Sequence, residues 1–341
     1  METPEAVLGL ATVYLRIYFL GMTATMIYNF GSAILRAVGD TKRPLYYLFA
    51  AGIVNVILNL IFVIGFKLSV MGVAIATVIS QCISAFLILK CMVHESGSIR
   101  LDLRNLGINK EKFIKIVQIG LPASLQGVIF SLSNVVIQSS VNSFGEITVA
   151  GNSAAANIQG FVVPNSRSRN IEGFVYVAMN SLYQAAISFT GQNVGAGKYE
   201  RVNRILYTAE ACVIVVGLVL GNGALFFGRQ LLSIYTENPA VIDTGMKRMN
   251  VIARTYALCG MMDVMVGSLR GLGYSVMPMI VSLIGACGLR LLWIFTFFRM
   301  EQFHTVTSLY LTYTWSWIIT FSAHVICWII VRRKLGRQWN S

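Results

Sequence analysis

A chain of 341 residues with 56% hydrophobic and only 12% charged residues, at a mean hydropathy of +0.68, lies far from the soluble balance of about 25% charged. It reads as an all-α integral membrane protein. The net charge of +13 fits basic loops on the cytoplasmic side of a bilayer, so no nucleic-acid partner is expected. Six scattered cysteines without a CxxC pair indicate neither a disulfide framework nor a zinc site, and METPEAVLGL lacks the basic start of a signal peptide.

Nine membrane-spanning helices are predicted, over residues 6–36, 45–66, 70–92, 113–141, 147–191, 205–228, 246–270, 276–298 and 307–331. The polar, basic stretch VHESGSIRLDLRNLGINKEK divides them. Residues 1–92 form a lobe remnant of three helices, 93–112 a cytoplasmic linker, and 113–341 a lobe of six helices with a basic cytoplasmic tail. If the connection after the first span is cytoplasmic, most of the 27 lysines and arginines fall on that side. This places the C-terminus inside and the N-terminus outside, in a multi-pass protein of the cell membrane.

The first span ends LRAVGDTKRP, Leu35 to Pro44, and the seventh ends LRGLGYSVMP, Leu269 to Pro278. Leu, Arg, Gly and Pro coincide at helix-end positions where each has a separate physical role, which predicts an internal repeat. That repeat pairs the first three spans with the last three and leaves the middle three without counterparts. The expectation is a six-plus-six bundle of two parallel lobes whose first three helices are missing here, a plan typical of alternating-access transporters.

Within the long region 147–191, Glu172, Tyr176, Asn180 and Tyr183 fall on one helical stripe. In TYALCGMMDVMVGSLRG, Asp263 shares a face with Tyr256 and Arg270. A charge at the bilayer centre costs about 2.5–3.5 kcal/mol on insertion scales. These two acids are therefore either cation-exchanging groups in a polar cavity or structural carboxylates paired with Arg254, Arg270 or Arg290. Burial disfavours an ionised carboxylate and a bound cation restores it, so such a group can exchange H⁺ or Na⁺ for substrate.

Asn55 and Asn59, four residues apart, either bond between helices or belong to a polar network. Gln126, Ser131, Ser133, Asn134 and Gln138 either line a substrate cavity or hydrogen-bond between helices. The 14 Met and 19 Phe suit a pliable cavity, or are plain core and lipid-facing residues. Gly217 and Gly221 fit a GxxxG close-packing motif. HExxH, GxSxG and the P-loop are absent and His94, His304 and His324 are isolated. No enzyme, catalytic residue or cofactor is expected.

The strings YNFGSAILRAVGDTKRPLYY, GVAIATVISQ, NIEGFVYVAMNS, ISFTGQNVGAGKYER and LRGLGYSVMP resemble the bacterial type of MATE (multidrug and toxic compound extrusion) transporters. They occur in family order over nearly the whole chain, from the family's fourth helix to its twelfth. The resemblance implies a monomeric, cation-coupled (H⁺ or Na⁺) antiporter. It would export drugs or other small organic, often cationic, compounds across the cytoplasmic membrane by alternating access. It implies that Glu172 and Asp263 form the cation site, with Na⁺ the one metal expected there. It also implies that Tyr14, Asn55, Asn59 and Thr77 correspond to a polar network in the first lobe, whose first-helix acid is absent. Gln126, Asn134, Gln138, Tyr176, Asn180 and Tyr256 are the expected cavity lining. Two alternatives stand: a lipid-linked oligosaccharide flippase of the same superfamily, which needs a more basic cavity for a pyrophosphate, and an inactive transporter fragment.

One departure is local. NIQGFV, Asn157 to Val162, precedes NIEGFV, Asn170 to Val175, and VPNSRSR joins the copies. A continuous helix over 147–191 would be about 67 Å long against a hydrocarbon core of about 30 Å. Pro164 and the polar run after it predict a helix ending near Val163, an excursion, and a new helix from about Ile171. If the first copy holds the family's place, Gln159 stands where the acid belongs.

Overall fold

The computed structural model describes residues 5–97, 99–157, 172–234 and 236–339, except for some side chains at the ends of these stretches. Its described elements are helices, and the chain divides into two compact units, Met1–Ile108 and Asn109–Ser341. Among the described residues, six helical segments are long and apolar enough to cross a membrane: Lys42–Gly65, Ser69–His94, Lys110–Asn142, Arg201–Phe226, Val276–Arg299 and Val306–Leu335.

In the first unit, α1 (Glu5–Leu20) and α2 (Met22–Ala37) replace the single predicted span 6–36. They meet at Gly21, where a Cβ would lie 2.7 Å from Gln81 Oε1 and 2.9 Å from Val78. The joint therefore sits at a point of close helix approach. Next come α3 (Lys42–Leu60), extended by a π-helical turn over Ile61–Gly65, and α4 (Ser69–His94). α4 is the hub, packed against α1, α2 and α3. Its buried residues Gly72, Ala76, Ser80, Ser84, Ile88 and Met92 form one i, i+4 ridge, and the small ones let neighbouring backbones come close.

The second unit contains α5 (Lys110–Asn142), α6 (Glu146–Asn157), α7 (Glu172–Gly195), α8 (Arg201–Phe226), α9 (Gly228–Ser233), α10 (Pro239–Gly271), α11 (Val276–Ser282), α12 (Leu289–Phe295) and α13 (Val306–Trp339). A π-helical segment, Leu283–Gly288, joins α11 to α12 inside the predicted span 276–298. α6 ends at Asn157 and α7 begins at Glu172. The predicted break near Val163, the repeated hexapeptide's centre and Gln159 lie outside the described residues.

α10 is the axis of this unit and packs against α6, α7, α8 and α13. It carries Arg248, Arg254, Asp263 and Arg270, which keep it below the hydropathy of a lipid-facing span although protein surrounds it. The GxxxG pair of α8 is where α10 comes closest. A Cβ at Gly217 would lie 2.7 Å from Ala257 Cα, and one at Gly221 would meet the Ala253 carbonyl oxygen. Met179, Val213, Ile252, Met262, Val264, Leu269 and Trp317 belong to the core behind this contact.

The predicted repeat has matching local geometry at both of its ends. After α2, Gly39 has φ +91°, its N–H donates to the Arg36 carbonyl at 3.0 Å, and Asp40 N–H donates to the Leu35 carbonyl at 3.0 Å. After α10, Gly273 has φ +90°, its N–H donates to Arg270 at 2.8 Å, and Tyr274 N–H donates to Leu269 at 3.0 Å. Each is a Schellman closure, for which glycine is required because of the left-handed backbone. Leu35 and Leu269 are both fully buried.

Candidate functional site

A cavity of about 710 Å³ opens in the second unit, walled by α5, α6, α7, α10, α12 and α13. α10 contributes Arg248, Ile252, Tyr256, Cys259, Asp263, Val266 and Arg270 to the lining. These positions advance by threes and fours, so one continuous face of the helix points inward. α5 presents Gln126, Ser131, Asn134 and Gln138, α7 presents Asn180 and Tyr183, and α13 presents Tyr310, Tyr313 and Trp317. The lining is thus more aromatic and amide-rich than pliable: its Met and Phe members are Met262 and Phe130. Ser133 is buried and does not join it.

Asp263 lines the cavity, and among the described residues no cationic group lies within ion-pair distance of its carboxylate. The three arginines proposed as its structural partners are engaged or placed elsewhere. Arg270 donates from Nη1 to Tyr183 OH and from Nη2 to Gln126 Oε1 at 2.8 Å, tying α10 to α7 and α5. Arg290 donates from Nε to Ser316 Oγ at 2.8 Å. Arg254 is exposed. Chemically, the arrangement offers a carboxylate in a partly enclosed polar cavity, available to a proton or a small cation.

The far part of the cavity is built on Asn152 of α6, which is 1% exposed. Its Oδ1 accepts from Arg248 Nη1 at 2.6 Å and from Tyr310 OH at 3.1 Å. Its Nδ2 donates to Gln138 Oε1 at 2.9 Å, and Gln138 Nε2 donates to Asn142 Oδ1 at 3.0 Å. One amide therefore joins α5, α6, α10 and α13. Sequence reading passed over Asn152 because a lone asparagine in an Ala-rich segment carries no spacing signal.

Of the expected lining, Gln126, Asn134, Gln138, Asn180 and Tyr256 are brought together here. Glu172 begins α7, but its side chain and that of Tyr176 lie outside the described residues. A third acid inside a span escaped the sequence reading. Glu210 sits in the third turn of α8, with both carboxylate oxygens buried and without a hydrogen-bond partner among the described residues. It does not line the cavity.

The first unit holds a separate polar cluster. Asn59 Nδ2 donates to Asn55 Oδ1 at 2.9 Å, Asn55 Nδ2 donates to Ser80 Oγ at 3.2 Å, and Ser80 Oγ donates to the Thr77 carbonyl at 2.8 Å. The two amides thus bridge α3 to α4. Thr77 enters through its backbone, its hydroxyl donating to the Val73 carbonyl at 2.8 Å. Tyr14 instead stacks on Tyr18, with centroids 5.9 Å apart.

The MatE family model matches residues 1–61 and 166–296, more than half of the chain. The "Probable multidrug resistance protein YpnP" of Bacillus subtilis is 29% identical over 290 residues, covering 85% of this chain and 62% of that protein. The "FAD transporter" of Shewanella oneidensis is 24% identical over 248 residues, covering 70% of this chain and 51% of that one. A mutant of the Vibrio cholerae MATE transporter VcmN superposes with a TM-score of 0.84 at 19% identity, over 97% of this chain and 72% of that chain. The chain thus spans about three fifths of the length of the first relative and about half of the second. The repeat-end glycines, the inward face of α10 and the family match converge: this is a member of the MATE family of multi-pass membrane transporters.

Proposed function

We propose that the chain acts as a cation-coupled antiporter, exporting small organic compounds across the cytoplasmic membrane by alternating access, with its C-terminus inside. The observation that carries this reading is Asp263, an acid on the inward face of α10, lining the cavity without a guanidinium at ion-pair distance among the described residues. A buried carboxylate is neutral when protonated and is stabilised as an anion by Na⁺, so cation occupancy changes the cavity's charge. Substrate entry then favours one cation state, and opening to the other side returns the carboxylate to its first state. Glu172 is the proposed partner acid. The names of the relatives support export of small molecules, one being called a multidrug resistance protein and another an FAD transporter.

The test is accumulation of two fluorescent probes, cationic ethidium and anionic fluorescein, in a host lacking its own exporters. This chain is compared with a version extended at the N-terminus by the three helices the resemblance implies, and with Asp263→Asn. Export of at least one probe, lost in Asp263→Asn at equal membrane abundance, is expected. Unchanged accumulation of both probes with either version would overturn the reading, and the inactive-fragment alternative would hold if only the extended version exports.

A further inference from the structure

The described lining of the cavity carries three guanidiniums, Arg248, Arg270 and Arg290, against the single carboxylate of Asp263. Counting Glu172 as a second acid would still leave the cations in excess. Arg248 and Arg270 lie at opposite ends of the α10 face, about 33 Å apart along the helix, and are held by Asn152 and by Tyr183 with Gln126.

Arg290 differs. It falls near the middle of the apolar segment Val276–Arg299, just after the π-helical turn Leu283–Gly288. Such turns frequently occur at functional sites. It is 4% exposed, lines the cavity, and has no carboxylate within ion-pair distance among the described residues. Its guanidinium lies 4.1 Å from the centre of the Tyr313 ring and 5.7 Å from that of Trp317, and Ser316 takes its Nε–H. These contacts fix the plane of the group, yet Nη2 is buried with no hydrogen-bond partner among the described residues. A charge at this depth is costly without a counter-charge.

We propose that Arg290 anchors the carboxylate or phosphate of a soluble aromatic organic anion, with the Tyr313 and Trp317 walls beside its ring, so that the cavity selects organic anions over organic cations. This deepens the transporter reading of the same cavity and rests on it. It replaces the cationic substrates implied by the family resemblance. With its Nε–H taken by Ser316, the guanidinium offers its charge and its remaining N–H groups to the oxygens of these groups.

The test measures binding alone, so a failure to transport does not decide it. The purified chain in phosphatidylcholine nanodiscs is dialysed to equilibrium against 2-naphthoate, 2-naphthyl phosphate and 2-naphthylmethylammonium, which share one ring system. Both anions are expected to bind about tenfold or more tightly than the cation. Arg290→Gln should abolish that preference by weakening the anions alone, while Arg290→Lys keeps part of it. Equal or stronger binding of the cation by the unaltered chain would overturn the proposal. So would an Arg290→Gln variant that weakens all three probes alike, the signature of a packing role. If Arg290→Gln does not fold, the preference of the unaltered chain and of Arg290→Lys decides. Loss of probe binding in phosphatidylglycerol nanodiscs would identify a lipid headgroup as the occupant and equally overturn the soluble-substrate assignment.

Discussion

The packing of α8 against α10 sets where the inward face of α10 stands, and three glycines of α8 make that contact testable. At Gly217, an added Cβ would lie 2.7 Å from Ala257 Cα, 2.8 Å from Ala257 Cβ and 2.8 Å from Met179 Cε. Ala257 Cα belongs to the backbone, so relief requires the two helices to separate. Overpacking of this kind costs about 1–3 kcal/mol. Replacing glycine by alanine within a helix returns about 0.5–1 kcal/mol of conformational entropy. Gly217→Ala should therefore destabilise the second unit by a net of up to about 2.5 kcal/mol. Gly223 lies six residues further on, and a Cβ there meets nothing within 4 Å. Gly223→Ala should be neutral or stabilising. Gly221→Ala, aimed at the Ala253 carbonyl oxygen, should be the worst of the three. The assay is thermal unfolding in detergent, followed by labelling of the free cysteines, of which Cys287 is buried. The expected order of Tm is Gly223→Ala at or above the unaltered chain, then Gly217→Ala, then Gly221→Ala. Equal shifts at Gly217 and Gly223 would refute the close approach.

Two further outcomes follow from the same geometry. Asn152→Leu removes the acceptor shared by Arg248 and Tyr310. It should cost about 1.5–3 kcal/mol for the charged hydrogen bond alone, read as a lower Tm, with weaker probe binding as the four-helix junction loosens. Gly39→Ala and Gly273→Ala each place a Cβ in open space at φ +91° and +90°. Their cost is conformational only, about 1–2 kcal/mol in each unit, and similar penalties in thermal melts are expected if the repeat ends are equivalent.

The membrane class, most of the helices and the two glycine closures were legible in the residues because each is a local property. Long apolar runs have nowhere stable to go but a bilayer or a core. The LRAVGD and LRGLGY closures need glycine at one position whatever surrounds them. The GxxxG of α8 was legible as a pattern, though not its partner, because a small-residue stripe does not say which helix approaches it. The face of α10 bearing Tyr256, Asp263 and Arg270 followed from spacing alone. What spacing could not tell was whether Asp263 pairs with an arginine. That choice depends on where Tyr183, Gln126 and Ser316 stand, and these lie on three other helices. The split of the first span at Gly21 depends on Gln81 and Val78 of α4, sixty residues away in sequence or nearly so. The same holds for Asn152, whose three partners come from α5, α10 and α13. Apolar periodicity and turn chemistry act within a few residues and can be read along the chain. The charge of a cavity is a sum over side chains that meet only after the helices have packed, and so the three guanidiniums and one carboxylate of the described lining belong to the tertiary structure.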